Sequence, residues 1–281
     1  MASIKQQNGR KYLVGKPLQF PAYRGRDYSR AIMSLVSRMT AESRIAYEQL
    51  LNSQLGGAAT LVRMTAINSH LLSKYNELFA QQLPIMAQSM IFGVNKSSKS
   101  ALASGFISKE DFAEDQKQAR IASISLSNKF LTDEKMYPLF AAQVQQNVAL
   151  FKTIPPVYFQ RVEKAVLDSI VTGRGFADLK PFFQQHSNGT KNYAHLRALD
   201  QTRKAYGDIN ITRIKEAGGT ELEWIHSGGG SHPDPRHVKL DGKIFPVDEP
   251  PVDYITRGQE VHSWCRRVNC RCTVAPVIRV A

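Results

Sequence analysis

No stretch of this 281-residue chain is apolar for more than a few residues in a row. Nothing approaches the roughly 18 consecutive apolar residues needed to cross a bilayer. The opening, Met1-Ala2-Ser3-Ile4-Lys5-Gln6-Gln7-Asn8, lacks the apolar middle of a secretory signal. The expectation is a protein made and kept in a cytosol-like compartment, with no membrane partner. Cysteine is also scarce, at three residues, so the three cannot all pair within the chain. Cys270 and Cys272 span two residues, about 6.6–7.2 Å if extended. That is at or beyond the usual Cα separation of a disulfide. A Cys265–Cys270 bridge is open on spacing but disfavoured in a reducing compartment. Metal ligation and plain burial are the remaining uses. There is no phosphate-binding loop, because Gly228-Gly229-Gly230 lacks the following lysine and helix. There is no Gly-x-Ser-x-Gly nucleophile elbow either.

Acidic residues are in short supply: 24 against 37 Lys and Arg, for a net charge of +13. Such an excess attracts polyanions, double-stranded DNA among them. Solubility or an acidic protein partner would also account for it. Residues 1–30 carry Lys5, Arg10, Lys11, Lys16, Arg24, Arg26 and Arg30 against Asp27 alone, and residues 255–281 carry Arg257, Arg266, Arg267, Arg271 and Arg279 against Glu260 alone. No basic helix offers a reading face. DNA would be met through its phosphates, without regard to sequence. Arg266, Arg267 and Arg271, beside Trp264, are the candidate contacts, with a solvated basic face as the alternative.

An apolar content of 42% and this length allow a sizeable core and about two domains. Pro17, Pro21 and three glycines make residues 1–26 read as an extended basic arm. Residues 27–155 read as a helical body. Asp27 is placed to cap a helix on Tyr28, Ile32, Leu35, Val36 and Met39. After Gly56-Gly57 a second helix runs from about Thr60 towards Pro84, which kinks or ends it. Asn95–Ser100 reads as a polar loop. Ser108-Lys109-Glu110-Asp111 could start a short helix, and Ile121, Ile124 and Leu126 read as helix. Phe140, Val144, Val148 and Phe151 are spaced for a helix that Pro155-Pro156 ends. Phe159, Val162, Val166 and Ile170 give the next, closed by Gly173 and Gly175. Leu199 to Ile209 mark another, stopped by Gly218-Gly219. Residues 156–281 form the C-terminal domain. There Leu222, Trp224 and His226 alternate as in a half-buried strand, and Asp241-Gly242 signals a hairpin between 238–240 and 243–245. Cys270, Cys272 and Val274 would share one face of a last strand. The fold class is α+β: a mainly helical N-terminal body, then a small α+β domain with a short antiparallel sheet.

All three cysteines and four of the seven histidines fall between His226 and Cys272. Side chains two apart on a strand project from one face, so Cys270 and Cys272 can meet at one point. With His237 they supply three ligands of a tetrahedral zinc site, and Cys265 is the natural fourth, with His262 as substitute. The spacing is not that of a standard zinc ribbon, and small buried thiols are the plainer reading. His226 reads as a packed histidine and His232 as an exposed one. Asp234 reads as a turn-former, and Arg236 as a partner for Asp241 or Asp248.

Several of these segments resemble the Mu F-like minor head proteins of tailed bacteriophages, also called head morphogenesis proteins. The residues that carry the resemblance are Asn147–Pro155, the Arg197-to-Ala217 helix, Glu223-Trp224-Ile225-His226, Asp234-Pro235-Arg236-His237, Leu240–Phe245 and Asn269-Cys270-Arg271-Cys272-Thr273. The Gly228–His232 insert departs from the pattern. His237, Cys270 and Cys272 transfer as motif positions; Cys265 does not, and no metal is implied. The resemblance implies a low-copy virion protein inside the head near the portal, made in the host cytoplasm. Its partners would be the portal protein, the major capsid or scaffold protein, and DNA during packaging or delivery. It would not be an enzyme. Related domains occur fused to toxin modules, but Ala281 directly follows the last strand, so no such extension is expected. The rival is a metal-dependent nuclease or toxin-like enzyme using His237 with His226 or His232.

Overall fold

The computed structural model describes residues 3–53, 57–105, 136–172, 176–228 and 233–280. The fold is α+β, as the sequence pattern predicts. Six helices are described: α1 (Ala22–Leu51), α2 (Gly57–Gly105), α3 (Tyr137–Phe151), α4 (Ile154–Val171), α5 (Phe176–Glu216) and α6 (Pro235–Leu240). Strands β1 (Ser3–Gln7), β2 (Arg10–Val14), β3 (Glu221–Ile225), β4 (Ile244–Pro246) and β7 (Thr273–Val280) form an antiparallel sheet in the order β1-β2-β7-β3-β4. β5 (Val252–Thr256) and β6 (Gln259–His262) pair separately.

The expected arm over residues 1–26 is corrected by the sheet. Asn8 and Gly9 both adopt positive φ, 50° and 74°. Asn-Gly tolerates that backbone, and such a turn matches the twist of paired strands. It folds β1 onto β2, with Gln7 opposite Arg10, and β2 onto β7. Tyr12, Leu13 and Val14 are buried in consequence. The chain then enters α1 at Ala22 rather than at Asp27.

The chain divides into two compact units. One comprises Met1–Gly25, Ile91–Ala141 and Asp200–Ala281; the other comprises Arg26–Met90 and Ala142–Leu199. Each draws on separate stretches, where the sequence reading divided the chain linearly at residue 155. The second unit is helical, with Tyr47, Tyr75, Phe79, Phe159 and Phe183 fully enclosed. Burying side chains of this size supplies most of the drive to fold, at about 25 cal/mol per Å² of apolar surface. Two of its buried phenols are paired: Tyr28 donates to Asn147 at 3.1 Å and Tyr47 to Asn68 at 3.0 Å. In the first unit Tyr12, Val14, Ile244, Ala275 and Val277 form a cluster on the sheet.

Pro84 does not end α2, which continues to Gly105. A proline there forfeits one helical hydrogen bond, but Tyr75, Phe79, Leu83, Ala87 and Met90 keep a buried face on either side of it. The expected polar loop over Asn95–Ser100 is also helix. Asn95 and Ser98 are buried and hydrogen-bonded to α5: Arg213 donates to Asn95 at 2.6 Å and Ser98 to Asn210 at 2.6 Å. Polarity here serves a helix contact, not solvent. Pro155 and Pro156 occupy the first turn of α4, where the missing amide costs nothing. The readings at Ser108–Asp111, Ile121–Leu126, Gly173, Gly175 and His232 lie outside the described residues.

Two local corrections bear on the site. Residues 235–240 form a helical turn, not the first arm of a hairpin. Asp234 caps it, accepting from the Arg236 amide at 2.9 Å, and Pro235 opens it. Gly242, at φ 73°, then turns the chain into β4. The last strand begins at Thr273, so Cys270 and Cys272 lie in the loop before it. Asn269, at φ 63°, and a Cys270 amide bond to the Arg267 carbonyl at 3.0 Å break the strand there.

Candidate metal centre

α6 and the loop before β7 bring His237, Cys270 and Cys272 together. One ligand atom from each lies within 4.8 Å of the others. The His237 ring is 4% exposed. Its Nδ1 is 3.5 Å from the Cys270 sulfur and 3.7 Å from the Cys272 sulfur. Its Nε2 is 2.8 Å from the Asp253 carbonyl oxygen and 2.9 Å from the Asp253 carboxylate. Asp253, on β5, is fully buried. Its other carboxylate oxygen accepts from the Ser263 hydroxyl at 2.7 Å and from the Arg266 and Arg267 amides at 2.5 and 3.1 Å. A buried carboxylate needs such partners. Trp224 packs edge-on against the imidazole at 5.1 Å and beside Trp264 at 6.3 Å, and the Trp264 indole donates to the Val247 carbonyl at 3.1 Å.

These distances fit a tetrahedral ion. With metal–sulfur bonds near 2.3 Å and metal–nitrogen bonds near 2.0–2.1 Å, nitrogen and sulfur ligands sit about 3.6 Å apart. A carboxylate behind the imidazole is the usual orienting partner of a metal-bound histidine. Without an ion, the Asp253 carboxylate, and then the Cys270 and Cys272 thiols, push the His237 pKa up to about 12. The neighbouring Cys270 thiol, and then burial, push Cys272 up from its usual value.

Cys265 is not in this group. Its thiol points at the Thr273 carbonyl oxygen, 3.9 Å away, and burial pushes its pKa up. His262 is exposed, with Nδ1 3.1 Å from the Pro250 carbonyl oxygen. His226 follows β3, half-buried, and accepts from the Gly228 amide at 3.1 Å. Asp241 takes the His226 amide at 2.8 Å and Asp248 pairs with Lys215, so neither is the expected partner of Arg236. Arg266 pairs with Asp208, and Arg267 with Asp234. Arg271 is exposed and makes no ion pair among the described residues. Asp253 went unnoticed in the sequence. Its only signal is a lone acid between Val252 and Tyr254.

Residues 160–275 match the model of the family described as Phage Mu protein F like protein. The resemblance carried by the motifs therefore holds over that segment, which contains the whole His/Cys/Cys group. A protein of Haemophilus influenzae, described as uncharacterized, is 28% identical over 185 residues, covering 63% of this chain and 39% of that protein. This chain thus corresponds to well under half of that relative's length. No solved structure matches. Among the described residues no helix is long and apolar enough to cross a membrane.

Proposed function

We propose that this protein is a component of a tailed-phage head, acting near the portal in head assembly or DNA packaging. Its terminal module would be fastened by a zinc ion on His237, Cys270 and Cys272. The observation that carries the reading is that the family-matched segment is also the segment that gathers these three ligands. Zinc would supply a structural cross-link between α6 and the loop before β7, the same joint that Asp253 braces from behind. A small sheet with a modest core gains much from such a tie. The net charge of +13 supports contact with packaged DNA through phosphates.

Three measurements test this reading. Mass spectrometry of purified virions should find the chain packaged with the head. Elemental analysis should find about one zinc per chain, lost on chelation together with a drop in thermal midpoint. A chain absent from virions sinks the head reading, and a metal-free chain of unchanged stability sinks the clamp.

A second reading uses the same atoms. Asp253, His237 and Cys270 line up as carboxylate, imidazole and thiol, the order found behind an activated cysteine nucleophile. Alkylation separates the two. A clamp shields Cys270 until zinc is chelated, whereas a nucleophile reacts in the protein as purified.

A further inference from the structure

We propose that Arg203 and Arg271 together form a binding site for a phosphate group, in a cavity of about 390 Å³ beside the sheet. The inference rests on the DNA-contact part of the reading above for the source of the phosphate, but the site is defined by its own residues.

Three cations line the cavity, Arg203, Lys204 and Arg271, and no described carboxylate does. The nearest acid on α5, Asp200, is already held: Lys204 pairs with it at 2.8 Å and the Asn269 amide donates to it at 2.9 Å. Neither Arg203 nor Arg271 makes an ion pair among the described residues. The Arg203 guanidinium is half-buried and stands 5.3 Å from the centre of the Phe20 ring, and Phe20 packs edge-on against buried Tyr206 at 6.0 Å. That stack fixes the fork of donors before any ligand arrives. Burial, and then the like charge of Arg271, disfavour the charged form of Arg203, while Asp200 and Cys270 favour it.

Two guanidinium groups lining one cavity make it a place of positive charge that suits an anion. The oxygens of a phosphate match the paired N–H groups of each fork. The neighbouring arginines provide the contrast. Arg266 and Arg267 are tied to Asp208 and Asp234 and serve the loop. Of the three arginines that the sequence puts forward for DNA, only Arg271 has its donors uncommitted, and its partner Arg203 lies 68 positions away on α5.

The test uses the full chain and two probes, a duplex DNA oligomer and inorganic phosphate. Affinity for the duplex is measured by anisotropy across a salt series. Arg271→Gln is exposed and should fold, Arg203→Lys keeps the charge but loses the fork, and Arg63→Gln is a charge control on an exposed face. Arg271→Gln should lower the slope of log affinity against log salt by about one, with Arg63→Gln near wild type. Inorganic phosphate should raise the thermal midpoint of the wild type, and less so that of either cavity variant. If the wild type binds duplex and both cavity variants keep its slope and its phosphate response, the site is overturned while DNA contact stands. If the wild type ignores duplex but answers phosphate through Arg271 and Arg203, the site stands and DNA contact falls. Silence towards both probes overturns both.

Discussion

The Asp253 carboxylate lies 2.9 Å from Nε2 of His237, on the side of the ring away from the two thiols. The carboxylate therefore fixes which nitrogen faces the sulfurs. Asp253→Asn keeps the size and removes the charge. Zinc affinity should fall about 10- to 100-fold, as for other lost orienting partners. Competition with a chromogenic chelator reads this directly. Undiminished affinity would show that Asp253 does not orient the imidazole for a metal.

The cap of α6 gives a second expectation. Asp234 accepts from the Arg236 amide and also pairs with Arg267. Asp234→Ala should cost about 0.5–2 kcal/mol for the cap alone. Because α6 carries His237, the variant should also release zinc more readily than wild type. Urea unfolding and metal retention, measured on the same preparation, would separate the two effects. A stability loss with full retention would mean the centre does not depend on the helix start.

What the sequence revealed and what it hid follow the range of the signals involved. The α+β class, the long helices and the strand around Trp224 show as local periodicity. The grouping of His237, Cys270 and Cys272 was legible too, because histidine and cysteine are rare enough to single out. Their supports were misplaced. Asp241-Gly242 outweighed the Asp234-Pro235 helix start, although both signals were present. The Cys-x-Cys pair suggested a strand because period two is the simplest way to align two side chains; a loop turned by Asn269 does so as well. The Asn8-Gly9 hairpin was masked by nearby prolines and by the basic charge of the segment. Asp253 and Arg203 gave no local cue, since each matters only through residues distant in the chain. Glu223 shows the same blindness: it reads as the solvent side of a half-buried strand, yet it is 2% exposed and paired with Lys5 from the first strand.

His186 predicts the acid behaviour of the helical unit. Its ring stacks on Tyr158 at 4.7 Å and on Phe182 at 5.2 Å, and burial holds its pKa below the usual 6.5. A histidine kept neutral in the fold is protonated more readily in the unfolded chain. Its contribution is therefore present above about pH 6.5 and is lost as the pH falls below it. His186→Phe should preserve the stack and flatten that part of the stability profile. Unfolding midpoints in urea at about pH 7.5 and about pH 5 would show it, and an equal acid loss in the variant would assign the effect elsewhere.

The Tyr47–Asn68 pair offers a sharper test of the same unit. The phenol donates to the amide oxygen at 3.0 Å, with Tyr47 0% and Asn68 7% exposed. Tyr47→Phe removes the donor and strands a buried acceptor, a loss of about 1–3 kcal/mol. Asn68→Leu strands the phenol instead, with a loss of similar size. The double variant leaves neither group stranded, so it should be less destabilised than the sum of the two singles. The difference is the coupling energy, and for residues in contact about 0.5–3 kcal/mol is the normal range. Denaturant titration of the four proteins completes the cycle. Strict additivity would mean that water already satisfies both groups and that the bond does not hold α1 against α2.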